Sequence, residues 1–130
     1  MPIWQTRLLG VAMAMALVGA SAAHAESAPD DADAHLEQLI DALKDGQHED
    51  FISNGNDAFK SNLRESMFES VQQHLGGRFA DGYEVRYLSE IHQYGMEVHV
   101  YSIHFEDGEG DLIARLAIDP ARDIGGVWFH

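Results

Sequence analysis

At Tyr83 the spacing of apolar residues switches from helical to alternating, and this switch constrains the fold more than any other feature of the chain. Upstream, Leu36, Leu39, Ile40 and Leu43 recur at i, i+3, i+4 and i+7 and share one helical face. Downstream, Tyr83, Val85 and Tyr87 alternate with Glu84, Arg86 and Leu88, the period of a half-buried strand. Helices first and strands after is the order of an α+β domain. The expected fold is a set of N-terminal helices packed on a curved, cone-like, four-stranded antiparallel sheet.

The first helix is expected over 33–44, with Asp30 and Asp31 able to cap its start and Gly46 to stop it. A short helix over 48–52 and a single turn over 57–60 follow. Asn62, with Glu65 three residues later, reads as the cap of a further helix. Met67, Phe68, Val71 and Leu75 form its apolar stripe, and Gly76-Gly77 is expected to end it. At that spacing the stripe reads first as core and only second as a pocket wall.

Strands are expected from Tyr83, over 97–106, over 111–119 and over 125–130. The short connections make neighbours antiparallel. A three-residue loop Gln93-Tyr94-Gly95 would pair His92 with Met96, Tyr87 with Tyr101 and Val85 with Ile103. An even loop at 107–110 would set Phe105 opposite Leu112 and Tyr101 opposite Leu116. Both registers gather Tyr83, Tyr87, His99, Tyr101 and Phe105 on the face turned to the helices, and these are the candidate pocket-lining residues. The opposite face would carry Glu84, Arg86, Glu90, His92 and His104 beside Leu88, Val98, Val100 and Ile113. Those four apolar residues read first as scattered exposed side chains and second as a patch through which the outer sheet face would form a homodimer.

Residues 1–25 read as a signal peptide. Arg7 closes a short cationic start, an apolar run spans 8–20, and small residues at alternate positions offer cleavage after Ala22 or, preferred, after Ala25. The run is shorter than the roughly 20 residues of a membrane span, which disfavours a retained anchor. Without Cys there is no lipoprotein acylation site, and without a twin Arg the general secretory route is expected. The expected location is the periplasm or the medium. Residues 26–32 would then be a flexible leader and 33–130 a single domain, enough for one modest core.

The formal charge of −14, from 22 acidic against 8 basic residues, becomes more negative once Arg7 is removed. Such a chain repels phosphate backbones and anionic bilayers, so neither nucleic acid nor a membrane surface is an expected partner. The lack of Cys also removes disulfides, thiol catalysis and thiolate metal sites.

The stretches 39–51 (LIDALKDGQHEDF), 82–88 (GYEVRYL), 98–105 (VHVYSIHF) and 125–129 (GGVWF) resemble small secreted bacterial domains of unknown function in the nuclear-transport-factor-two-like (cystatin-like) superfamily. The resemblance implies helices under a strongly curved sheet and speaks to fold rather than activity. Steroid-isomerase-like members of that superfamily use acidic side chains inside the cone, and the inward set expected here has none.

His99 beside Tyr83, Tyr87 and Tyr101 is the one inward group suited to acid–base work near neutral pH. A core His bonded to a Tyr is the plainer reading. The histidines show no metal-ligating spacing on a helix, and His99 and His104 point to opposite sheet faces. The acids of 107–111 begin like a calcium loop, but Leu112 and Ile118 stand where Gly and Glu are required. No metal or cofactor is therefore expected, and no phosphate, dinucleotide or serine-hydrolase motif is present. The expected function is a non-enzymatic module that binds a small apolar ligand or a protein partner. The alternative is a small cavity enzyme, isomerase or hydrolase in type, using His99 and a nearby Tyr.

Overall fold

The computed structural model describes residues 27–130; the stretch 1–25 expected to be a signal peptide, with its expected cleavage site after Ala25, lies outside the described residues. Helices α1 (Asp30–Asp45), α2 (His48–Ile52), α3 (Asp57–Asn62) and α4 (Glu65–Ala80) precede strands β1 (Tyr83–Gln93), β2 (Met96–Phe105), β3 (Leu112–Ile118) and β4 (Ile124–Phe129). The strands form one antiparallel sheet in the order β1-β2-β3-β4, so β1 and β4 are its two edges. The α+β class is as expected.

Helix α1 begins at Asp30, inside the stretch expected to be a leader. Pro29 stands at its N-cap position, and Asp30, Asp31 and Asp33 fill the first turn, where carboxylates favour the helix dipole. Neither Asp30 nor Asp31 caps it through a side chain. At the far end Gly46 takes the left-handed conformation (φ 70°) and closes the helix as expected. Leu36, Leu39, Ile40 and Leu43 are all buried, each contributing roughly 2 kcal/mol by leaving water.

Two expectations about α4 fail. Asn62 ends α3, and Arg64 holds the N-cap position of α4 without a side-chain bond. The helix also runs through Gly76-Gly77 to Ala80. A Cβ on Gly76 would sit 2.7 Å from the Leu43 carbonyl oxygen, so the glycine is there for the close approach of α1 and α4. Continuation of the helix delivers Phe79 to the core, where it meets Phe105 (5.1 Å between ring centres) and Tyr83 (5.2 Å).

The sheet corrects the expected registers without changing most of the faces. The β1–β2 connection is a two-residue turn with Tyr94 (φ 53°) and Gly95 (φ 76°) both left-handed, the geometry that suits tightly twisted hairpins. Gln93, not His92, therefore pairs with Met96. A bulge between Tyr87 and Ser89 then absorbs one residue, so that Tyr87 still faces Tyr101 and Val85 still faces Ile103. Across β2 and β3, Tyr101 pairs with Ala114 and Ile103 with Leu112, a two-residue offset from expectation that preserves side-chain direction. Tyr101, Ile103 and Phe105 accordingly join the α1 and α4 side chains in the main core.

Candidate functional site

The bulge changes what surrounds His99. Beyond it, Glu90 pairs with His99 and His92 with Glu97, which turns Glu90 and His92 to the inner side rather than the outer face assigned from alternation. Glu97, two residues before His99 on β2, shares that side. The inner surface thus carries acidic groups where none was expected, and Asp33 adds one from α1 by accepting a hydrogen bond from the Tyr101 hydroxyl (3.0 Å).

These groups form a connected polar chain. The Tyr87 hydroxyl donates to Nδ1 of His99 (3.1 Å), and Nε2–H of His99 donates to Glu97 (3.1 Å). Arg122 then donates to the other Glu97 oxygen (2.6 Å) and, through Nε and Nη2, to both oxygens of Asp31 (2.7 and 2.9 Å). His35 Nε2–H donates to the Arg122 carbonyl (2.9 Å). Arg122 is held at φ 70°, a left-handed conformation a non-glycine residue adopts only when its surroundings enforce it. The β3–β4 turn is thereby tied to the start of α1 and the start of β2.

The electrostatics follow the contacts. Hydrogen bonds from Arg122 hold the Asp31 carboxyl below the usual carboxylate range. For Glu97, burial works in the opposite sense, and the bonds from Arg122 and His99 outweigh it, leaving that carboxyl lowered as well. The two carboxylates in turn raise the Arg122 guanidinium against its own desolvation. Burial, with Asp33 close by, pushes the Tyr101 hydroxyl far up, so it acts as a donor and not as a base.

Ligating atoms of Glu90, Glu97 and His99 lie within 4.8 Å of one another. A cation there would compete with the guanidinium already on Glu97 and would take the place of the partner on one ring nitrogen of His99. His99 itself is 0% exposed. Its full set of partners makes it a satisfied core histidine in its present geometry.

The five sequence-chosen pocket residues separate. Tyr83, Tyr87 and Tyr101 line a cleft of about 610 Å³ between α1 and the β1 side of the sheet, with Asp33 and Glu37 on its opposite wall. His99 lies outside that lining, and Phe105 is packed against Phe79. The 107–111 segment is a hairpin tip in which Asp107 takes a paired bond from Arg78 (2.7 and 3.3 Å). Arg78 also stacks on Phe105 at 4.0 Å.

A larger and far more apolar groove, about 820 Å³, follows the opposite edge of the sheet. Phe68, Val71 and Leu75 of α4 form one wall, and Val127, Trp128 and Phe129 of β4 form the floor. Because successive strand side chains alternate, the groove wraps the edge. Val127 and Phe129 contribute from the inner side, while Trp128, Arg115 and Ala117 contribute from the outer. Trp128 lies across Gly126, where a Cβ would come within 2.5 Å of its ring, and the indole remains 54% exposed. Among the described residues of the lining, Arg115 is the sole Lys or Arg, His74, His130 and Tyr94 are the other ionisable side chains, and no Asp or Glu takes part.

No family model, curated protein or solved structure matches this chain. The site is therefore read from its own geometry. That geometry favours the β4 groove, whose α4 wall the sequence offers as core first and pocket wall second, and whose floor it offers only as a closing strand. The available signal was GGVWF, an edge-length segment with no charge and two glycines ahead of an exposed tryptophan.

Proposed function

We propose that this chain is an exported, non-enzymatic binding module of the nuclear-transport-factor-two-like, cone-shaped kind, and that the β4 groove is its binding site. The single observation that carries this reading is an apolar groove of about 820 Å³ with no Asp or Glu among its described lining residues, in a chain that has 22 acidic residues. A volume of that size suits a compact organic ligand or several side chains of a partner. Exclusion of carboxylates from one concave surface of so acidic a protein favours an apolar or anionic guest. Export through the signal at 1–25 would place the module in the periplasm or the medium.

The rival reading, a small cavity enzyme built on His99 and Tyr87, draws on the Tyr87–His99–Glu97 chain. It is weakened because His99 contributes nothing to the neighbouring cleft. The two readings part in one experiment. An anionic anilinonaphthalene dye titrated into the processed protein should brighten and shift the Trp128 emission, saturably, and Val71→Glu should abolish both effects. The chain's other tryptophan, Trp4, belongs to the export signal, and Trp128→Phe checks the origin of the emission. Dye binding lost in His99→Ala but intact in a folded Val71→Glu would reject the β4 groove as the site.

A further inference from the structure

We infer that the β4 groove takes its partner as an extended peptide strand that pairs with β4, apolar at alternate positions and acidic at its ends. This deepens the binding reading above and rests on it. The first argument is where the β4 backbone points. Ile113 and His130 exchange both backbone hydrogen bonds (2.7 and 2.9 Å), which identifies them as a hydrogen-bonded pair. By the alternation of antiparallel ladders, Trp128 and Gly126 also turn their polar groups toward β3. Val127 and Phe129 consequently turn their N–H and C=O groups away from the sheet.

That edge is covered at its start and open beyond. The outward groups of Ile124 are taken by Asn54 and Asn56, each at 2.9 Å, where the 54–56 segment runs alongside in parallel. Past Ile124, among the described residues, no strand flanks β4 on that side. An added strand needs partners for both faces of its alternating side chains. The groove supplies both, with Val71 and Leu75 on the inner side and Trp128 and Ala117 on the outer.

The third argument is charge. The ionisable side chains among the described lining residues are Arg115, His74, His130 and Tyr94, three of them of basic type and none a carboxylate. Arg115 is held in place by Gln93 (3.0 Å) at the hairpin end of the groove. An apolar strand with glutamate or aspartate at its ends complements this arrangement, whereas one ending in lysine opposes it. A second copy of this chain is the poorer guest. Two-fold pairing of β4 would present the same basic side chains from both sides, with no Asp or Glu among the described lining residues to meet them, and would join two strongly acidic chains.

The test uses the processed, isotope-labelled protein and a capped heptapeptide of alternating valine and threonine closed by a glutamate at each end. Saturating peptide should shift Trp128 emission and slow amide exchange at Val127 and Phe129 by about tenfold or more, as new ladder bonds form. N-methylation of the central peptide bonds should remove the protection, and lysine ends should weaken binding by about tenfold. A Trp128 response without slowed exchange at those two amides would overturn strand pairing while leaving the groove a binding site. No peptide response from a protein that still binds the dye would also overturn it. Loss of both responses would remove the groove reading with it. Concentration-dependent protection of Val127 and Phe129 without any peptide would assign the edge to a second copy and reject the inference.

Discussion

The two edges of this sheet are built on opposite principles. Strand β1 is long, carries Glu84, Arg86 and Glu90, and is broken by a bulge at Leu88. Charges and bulges are the usual protections of an edge against pairing with another chain. Strand β4 is short, uncharged, and reads Ile-Gly-Gly-Val-Trp-Phe. Its free side opens into an apolar groove instead of water alone. The cleft beside β1 is polar by comparison, with Tyr hydroxyls facing acids of α1. One edge has been defended and the other left receptive. In a protein with so little positive charge, the receptive edge is also the one spared acidic side chains. That contrast points to β4 as the functional edge.

The comparison can be broken most severely by proline. Trp128→Pro removes a donor that points into the β3–β4 ladder and should cost about 3 kcal/mol or more, read from the urea midpoint. Val127→Pro removes a donor that points outward and should cost only about 1 kcal/mol, since proline is tolerated on the open side of an edge strand. It should nevertheless abolish strand pairing. Equal destabilisation by the two would place the β4 backbone the other way round.

On the opposite side, His99→Ala leaves the Tyr87 hydroxyl and Glu97 short of a partner and opens a void in a fully buried position. A loss of about 2–4 kcal/mol is expected, with dye binding at 25 °C unchanged wherever the variant remains folded. This would sharpen the contrast by showing that the polar chain supports the fold and does not serve the groove.

Arg122→Ala should cost about 1 kcal/mol, because its ion pairs with Asp31 and Glu97 are part-exposed and screened. The effect has a defined pH dependence. Both carboxyls titrate lower in the folded protein than in the unfolded chain. Their contribution is therefore complete above the ordinary carboxylate range of about pH 4 and is lost as pH falls through the lower folded values. Wild type and variant should differ in urea midpoint by a constant amount at pH 6–8 and converge in acid. The smallest stability effect is expected from Trp128→Lys, within about 0.5 kcal/mol for a half-exposed residue. It should still weaken peptide binding by about tenfold or more, by removing the apolar side chain that would cover the outer face of the added strand.

Much of the architecture was legible because side-chain parity survives errors of two. The β2–β3 register was misplaced by two residues, so His99, Tyr101, Ile103 and Phe105 kept their correct face. Between β1 and β2, a tighter turn and a bulge cancelled each other. The cancellation fails in the stretch between them, which is why Glu90 and His92 were assigned to the wrong face. A bulge at Leu88 has no marker residue in the sequence, since it needs no glycine when its dihedrals are ordinary.

Gly76-Gly77 misled for a related reason. Glycine signals a helix stop where φ is positive, but Gly76 serves as a point of close helix contact with Leu43. The groove was hidden more deeply. Its apolar stripe on α4 was visible, yet whether that stripe is covered or open depends on the distance between α4 and an edge strand. Local periodicity does not contain that distance.

The most direct test of β4 as the functional edge is to map amide chemical shifts in the processed protein as the anionic anilinonaphthalene dye is added. The expected perturbations cluster at Val71, His74, Val127, Trp128 and Phe129, and leave Tyr83, Tyr87, His99 and Glu97 in place. Perturbations centred on Tyr87, His99 and Tyr101, with β4 unmoved, would contradict the assignment and return the function to the polar cleft beside β1.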